Sequence, residues 1–314
     1  MLQKQIRHRI RAIFQVRSTT NEKLLRSSPS SAGWSRGRIS LTARKVGLAL
    51  VEINILGPLE IVTENEDRIL PAPKVRQVLA LFLTQANQVV NIDEIIEELW
   101  ADNPPSSATT TAQTYICHLR KILSHLTSIG RPPQLLTTIG PGYAFHMNDA
   151  QSDVEKYRRF HGLGRALIAE GHPDQAASYL RDALQIWRGH PLVNIRLGRL
   201  LDAQTTKLKE ERAHTLELRI EADLQLGRHR ELIAELRSLV LIHPLNEWFH
   251  ARLIEALGRC GRRREALEAY RSLYDTLYCE LGMVPSQEVQ ELQRAILKDG
   301  LANWHIPEQR RVRR

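Results

Sequence analysis

Thr109-Thr110-Thr111-Ala112-Gln113-Thr114-Tyr115-Ile116-Cys117-His118-Leu119-Arg120-Lys121 is the stretch on which the fold turns. Ala112, Ile116, Leu119 and Leu123 recur at spacings of 4, 3 and 4, which places them on one stripe of a helix running from a cap at Ser107 or Thr109 to about Leu126. The other face carries Thr110, Gln113, Thr114, Cys117, His118 and Lys121. A DNA major groove accepts one helix, and Gln, Thr, His, Arg and Lys are side chains that reach base edges and phosphates. A solvated amphipathic helix has the same pattern when taken alone, so its neighbours must decide between the two.

Upstream, Val51 to Val62 alternates around Gly57-Pro58, the signature of two short strands, and Arg68-Ile69-Leu70 is a candidate third. Pro73 opens a helix with Val75, Val78, Leu79, Leu81, Phe82 and Leu83 inward. Asn91 or Asp93 caps a second helix ending at Trp100, and Pro104-Pro105-Ser106-Ser107 breaks the chain before the third. Downstream, Gln134 to Ile139, the turn Gly140-Pro141-Gly142 and Tyr143-Ala144-Phe145 form a β-hairpin. Short strands, three helices and a terminal hairpin is the winged-helix order. No acidic residue occurs between Ser106 and Thr138, as a surface facing phosphates requires.

From Asp153 to Leu297 the pattern is helical, interrupted mainly by Gly and Pro. Gly171-His172-Pro173-Asp174-Gln175-Ala176-Ala177, Gly227-Arg228-His229-Arg230-Glu231-Leu232 and Gly261-Arg262-Arg263-Arg264-Glu265-Ala266-Leu267 resemble one another. The last two glycines are 34 residues apart, the tetratricopeptide period; the first two are 56 apart, which implies an irregular or elongated helix around Leu200 to Leu226. Stacked helix pairs of this kind bury apolar faces that no pair buries alone, which puts Trp187 and Leu267 in a core. The fold class expected is mainly α: a winged helix-turn-helix domain with short β-strands at 51–148, then an all-α tetratricopeptide-like repeat domain at 153–298.

At 314 residues, 42% hydrophobic and 25% charged, the chain has the composition of two ordinary globular domains. Its net charge of +9 is concentrated at the ends: residues 1–50 carry +10 and the last fourteen +3, leaving 51–300 at −4. Bulk basicity therefore says nothing about the folded part. Residues 1–50 read either as a solvated basic arm or as an artefact of start-site choice, with translation beginning at a valine codon near Val51; both readings stay open. Residues 299–314 read as a basic tail. Cys117, Cys260 and Cys279 are far apart, with neither disulfide nor zinc spacing. No apolar run is long enough for a membrane span, and a cytoplasmic address is expected. There is no G-x-x-x-x-G-K-[ST] loop, no H-E-x-x-H pair and no assembled nucleophile, so neither catalysis nor a cofactor nor a metal is expected.

Taken in order, Leu56-Gly57-Pro58-Leu59, Lys74 to Leu83, Glu98-Leu99-Trp100, Gln113 to Lys121 and Gly140-Pro141-Gly142-Tyr143 resemble the OmpR-type DNA-binding domain of the Streptomyces antibiotic regulatory protein family. Ala183 to Gly189, Ala222 to His229, His243 to Glu247 and Glu280 to Pro285 are similar to that family's bacterial transcriptional activator domain. The resemblance implies an activator that binds double-stranded DNA as a dimer on promoter direct repeats near the minus-35 element and recruits RNA polymerase through its sigma factor. It places Thr114, His118, Arg120 and Lys121 in the recognition helix and Thr111, Lys74 and Arg76 as candidate phosphate contacts; Thr110 and Gln113 on the same helix and Gly142 and Tyr143 of the hairpin are further candidate DNA-binding residues. The family pattern has Arg where this chain has His118, and a neutral imidazole cannot make the bidentate guanine contact of Arg. The competing expectation is an interaction scaffold or ligand sensor whose winged helix reads no DNA; it gives no reason for an acid-free, Thr-, Gln-, His- and Lys-bearing helix face.

Overall fold

The structure, a computed structural model, describes residues 52–62, 71–126, 135–147 and 152–298. The arm at 1–50, the candidate strand Arg68-Ile69-Leu70 and the tail at 299–314 lie outside the described residues. β1 (Glu52–Asn54) and β2 (Glu60–Val62) pair antiparallel, with Ile53 opposite Ile61 and both buried. α1 (Pro73–Thr84) opens on a proline, whose missing N–H costs nothing in a first turn. From Gln77 to Leu83 every residue of α1 is buried, so this helix is the centre of the N-terminal half.

β3 (Val89–Asn91) runs into α2 (Ile92–Trp100), where the Glu94 carboxylate accepts the backbone N–H of Asn91 at 2.7 Å and closes the first turn. α3 (Ala108–Leu126) follows, then the hairpin β4 (Leu136–Ile139) and β5 (Gly142–Phe145). β5 is the middle strand of a sheet ordered β3-β5-β4. β3 is an addition to the sequence reading: three residues show no alternation, and the strand exists through its register on β5, Val89 opposite Ala144 to Asn91 opposite Gly142.

The C-terminal half comprises α4 (Asp153–Ala169), α5 (Pro173–Gln185), α6 (Arg199–Gln225), α7 (His229–Ile242), α8 (Glu247–Arg259), α9 (Arg263–Leu281) and α10 (Gln287–Lys298). The repeated glycines Gly171, Gly227 and Gly261 stand just past the ends of α4, α6 and α8 with φ of 77°, 74° and 73°, the left-handed turn that lets one helix fold back as the next. The helical run is interrupted, as expected, by Gly and Pro. Residues 186–198 form turns, because Gly189 and Pro191 cannot sustain helix there, and α6 is correspondingly long at 27 residues.

Among the described residues two hydrophobic cores result. The first runs from Ile53 to Leu208 and is shared by the winged helix with α4, α5 and the start of α6; the second runs from Ile220 to Ile296. α6 enters both. Between them its buried Thr215 is held from α4: the Tyr157 hydroxyl lies 2.6 Å and His161 Nδ1 2.9 Å from Thr215 Oγ1.

Within the first core the halves exchange caps. Asp153, opening α4, accepts the backbone N–H groups of Ile55 and Leu56 at 2.8–3.0 Å. Glu98 of α2, 3% exposed, accepts those of Gly198, Leu200 and Leu201 at 2.6–3.0 Å and so caps α6. Only glycine fits at 198, where a Cβ would stand 2.3 Å from the Glu98 carbonyl oxygen. The 186–198 segment adds a sheet-like seam: Arg188 N–H donates to the Leu56 carbonyl, Leu192 N–H to the Gly57 carbonyl, and the Asn194 side chain bonds both backbone groups of Leu59.

Candidate nucleic-acid interface

α3 is seated on the first core by Ala108, Ala112, Ile116, Leu119 and Leu123, none more than 6% exposed, and by Tyr115 stacked on Trp100 at 6.5 Å. Against that stripe, Thr109, Thr110, Gln113, Thr114, Cys117, His118, Lys121 and Ser124 are exposed. The expected division of the helix into a seated face and a presented face is therefore what the structure places here. Thr114 Oγ1 donates to the Thr110 carbonyl at 2.9 Å, which fixes its rotamer. Thr111 is half-buried, its hydroxyl 3.5 Å from that of Ser107 at the helix start.

The remaining sequence-derived residues are not on this face. Arg120 turns sideways into the hairpin: Nε donates to the Leu136 carbonyl at 3.3 Å, a terminal nitrogen to Thr138 Oγ1 at 2.7 Å, and its guanidinium carbon lies 5.6 Å from the centre of the Tyr143 ring. Lys74 points Nζ at the Leu99 carbonyl, 2.6 Å away, and over the Trp100 ring. Burial first, and the nearby Arg196 charge second, lower the Lys74 pKa against the pull of Glu98. Arg76 donates to the carbonyls of Pro71 and Asn194. Both α1 cations thus bond backbone oxygens of their own chain; the sequence reading had offered them as candidate phosphate contacts.

Gly142 is buried, since a Cβ there would stand 2.6 Å from the Val90 carbonyl oxygen, and Tyr143 is half-buried with its ring edge toward Phe82. The exposed tip of the wing is instead Thr138, Ile139, Gly140 and Pro141, with Ile139 at 44% exposure. These tip residues, with Thr109 and Ser124 on α3, are additions to the sequence-derived set. A hairpin turn bracketed by Gly140 and Gly142 was the available signal for the first group, and helical phase for the second. Among the described residues no helix is long and apolar enough to cross a membrane.

The comparisons with known proteins bear on this geometry directly. Residues 66–145 match the family described as transcriptional regulatory protein, C terminal, and residues 152–297 match the bacterial transcriptional activator domain. Regulatory protein DnrI of Streptomyces peucetius is 38% identical over 252 residues, covering 79% of this chain and 92% of that protein. Transcriptional regulator RedD of Streptomyces coelicolor is 30% identical over 293 residues, covering 87% and 83%. Among solved structures, Mycobacterium tuberculosis EmbR in complex with a low-affinity phosphopeptide superposes with a TM-score of 0.74 at 31% identity, covering 79% of this chain and 65% of EmbR. A winged helix presenting α3, fused to a repeat-type helical half and matched over most of its length by these regulators, places the chain in the Streptomyces antibiotic regulatory protein family of transcriptional regulators.

Proposed function

We propose that this regulator is a cytoplasmic activator that reads promoter DNA with α3, binds direct repeats as a dimer and recruits RNA polymerase through its sigma factor. The observation that carries the DNA-reading part is the acid-free presented face of α3, held rigidly by a buried stripe. Thr114 and His118, one turn apart and both exposed, face the groove floor with Gln113. Thr110, Thr111 and Lys121 meet phosphates at its edges, and the tip beyond the Arg120 contact, Ile139 to Pro141, lies along the adjacent minor groove. Gly142 and Tyr143, with Lys74 and Arg76, support the reading surface from behind. The dimer, the direct repeats and the polymerase contact rest on the resemblance to the family.

Thr114→Ala or His118→Ala should relax preference at particular bases, each by about 1 to 3 kcal/mol of discrimination, whereas Lys121→Ala should weaken all sequences alike and lower the salt slope by about one. Competition binding against single-base variants of a selected site measures both. Inserting about five base pairs between half-sites should abolish cooperative binding and about ten should restore it, because a full turn returns both subunits to one face. Uniform losses from all three variants, with no effect of spacing, would make α3 a nonspecific surface.

A further inference from the structure

The side chain of Arg120 is the feature of α3 that DNA reading leaves unused. It leaves the helix beside the buried Leu119, on the flank toward the hairpin, and is half-buried there. Its planar fork places one donor on the Leu136 carbonyl and one on the Thr138 hydroxyl, and its guanidinium carbon lies over the Tyr143 ring, 5.6 Å from the centre. Leu136 and Thr138 belong to β4, Tyr143 to β5, and Thr138 and Tyr143 are directly opposed in the ladder. A single side chain from the presented helix therefore grips both strands of the wing. The grip lies one residue pair short of the tip, since Ile139 and Gly142 form the last pair.

A groove-reading helix and a wing address neighbouring grooves of one duplex, so the separation between them must match the duplex in advance, or ordering it is charged against binding. We propose that Arg120 is a positioning residue that sets the wing against α3 at that separation, and that it reads no base. The inference rests on the DNA-reading function proposed above. Lysine cannot substitute: one ammonium group supplies point-like donors without the fork that spans two acceptors on β4. Thr138 has a matching role from the other side, its hydroxyl accepting from Arg120 two residues from the bend of the wing.

The test uses the full chain and a duplex selected by it from random-sequence DNA. Arg120→Ala and Arg120→Lys should keep the wild-type guanine-methylation interference pattern in the major groove. They should lose hydroxyl-radical protection of the adjacent minor groove, with affinity falling about tenfold, as expected for losing bonds to a charged donor. Thr138→Val, which leaves α3 untouched, should give the same partial footprint, and the double variant Arg120→Ala/Thr138→Val should lose less than the two single effects combined. Unchanged thermal unfolding of Thr138→Val separates the positioning role from general stability. A changed base preference with the minor-groove footprint intact would make Arg120 a reader and overturn the proposal, as would a wild-type footprint and affinity for Arg120→Ala. Absence of any specific protection by the wild-type chain would instead overturn the DNA-reading function underneath it.

Discussion

His250 is a histidine whose tautomer is set by a hydrogen bond and whose charge is set by burial. It is buried in α8, its Nε2 lies 3.1 Å from the Pro244 carbonyl, and its Nδ1 is buried without a partner. A carbonyl only accepts, so Nε2 carries the proton and Nδ1 is bare. Burial lowers the pKa of this histidine, opposed by the Pro244 bond and by Glu247. A lowered folded-state pKa means that the unfolded chain binds the proton more readily; the stability contributed is whole above about pH 6.5 and is lost as pH falls below it. Thermal unfolding of the wild type should therefore weaken between pH 7.5 and 5.5 more than that of His250→Gln. Equal slopes for the two proteins would show that the ring is not held neutral. Residue identity alone could not have announced this, nor the partners of Arg120, Lys74 and Glu98. Their acceptors and donors are largely backbone groups, which leave no mark in a sequence, and those of Glu98 lie about a hundred residues away.

At the scale of elements, what was legible was what is local. The two faces of α3, the proline start of α1 and the glycine turns after α4, α6 and α8 each follow from residues within one or two turns of one another. β3 was not legible in the same way, because it is stabilised by a partner strand far along the chain; the break at 186–198 follows from Gly189 and Pro191, but its seam on the winged helix left no local mark. The helical register also divides. Trp187 is buried against Tyr157, with ring centres 5.5 Å apart, whereas Leu267 is half-buried at the edge of the second core and Leu273 lies within it. Trp187→Ala and Leu273→Ala should each cost about 3 to 5 kcal/mol, while Leu267→Ala should cost clearly less, since the cost of truncation follows the cavity left behind. Denaturant titration of the three variants checks this ordering; an equal loss for Leu267→Ala would place it deeper than the structure does.

At the scale of the molecule, periodicity showed which faces were apolar but not what they would face, so the sharing of one core between the winged helix and α4 to α6 could not be read beforehand. It has a measurable result. A fragment ending near residue 148 would strip Ile55 and Leu56 of the Asp153 carboxylate, leave Glu98 without its three N–H partners and uncover apolar side chains of the first core. Such a fragment should unfold at markedly lower denaturant than the full chain and bind its selected duplex more weakly, because uncovered apolar surface costs about 25 cal/mol per Å² and the folded fraction falls with it. Chemical denaturation and titration with that duplex, side by side, would detect both; equal stability would mean that the shared core adds nothing.

The cap of Glu98 on α6 has a mechanical meaning as well. α6 is a rod of about 40 Å, gripped at its start by α2, stapled midway through Thr215 to α4, and embedded at its far end in the second core. Displacing α7 to α10 sideways must either bend that rod between its two embedded stretches or tilt it about the cap, and the cap sits on the helix that packs behind α3. Through α6 and α2 the distal helices are thus joined to the back of α3 by one continuous path of packed elements.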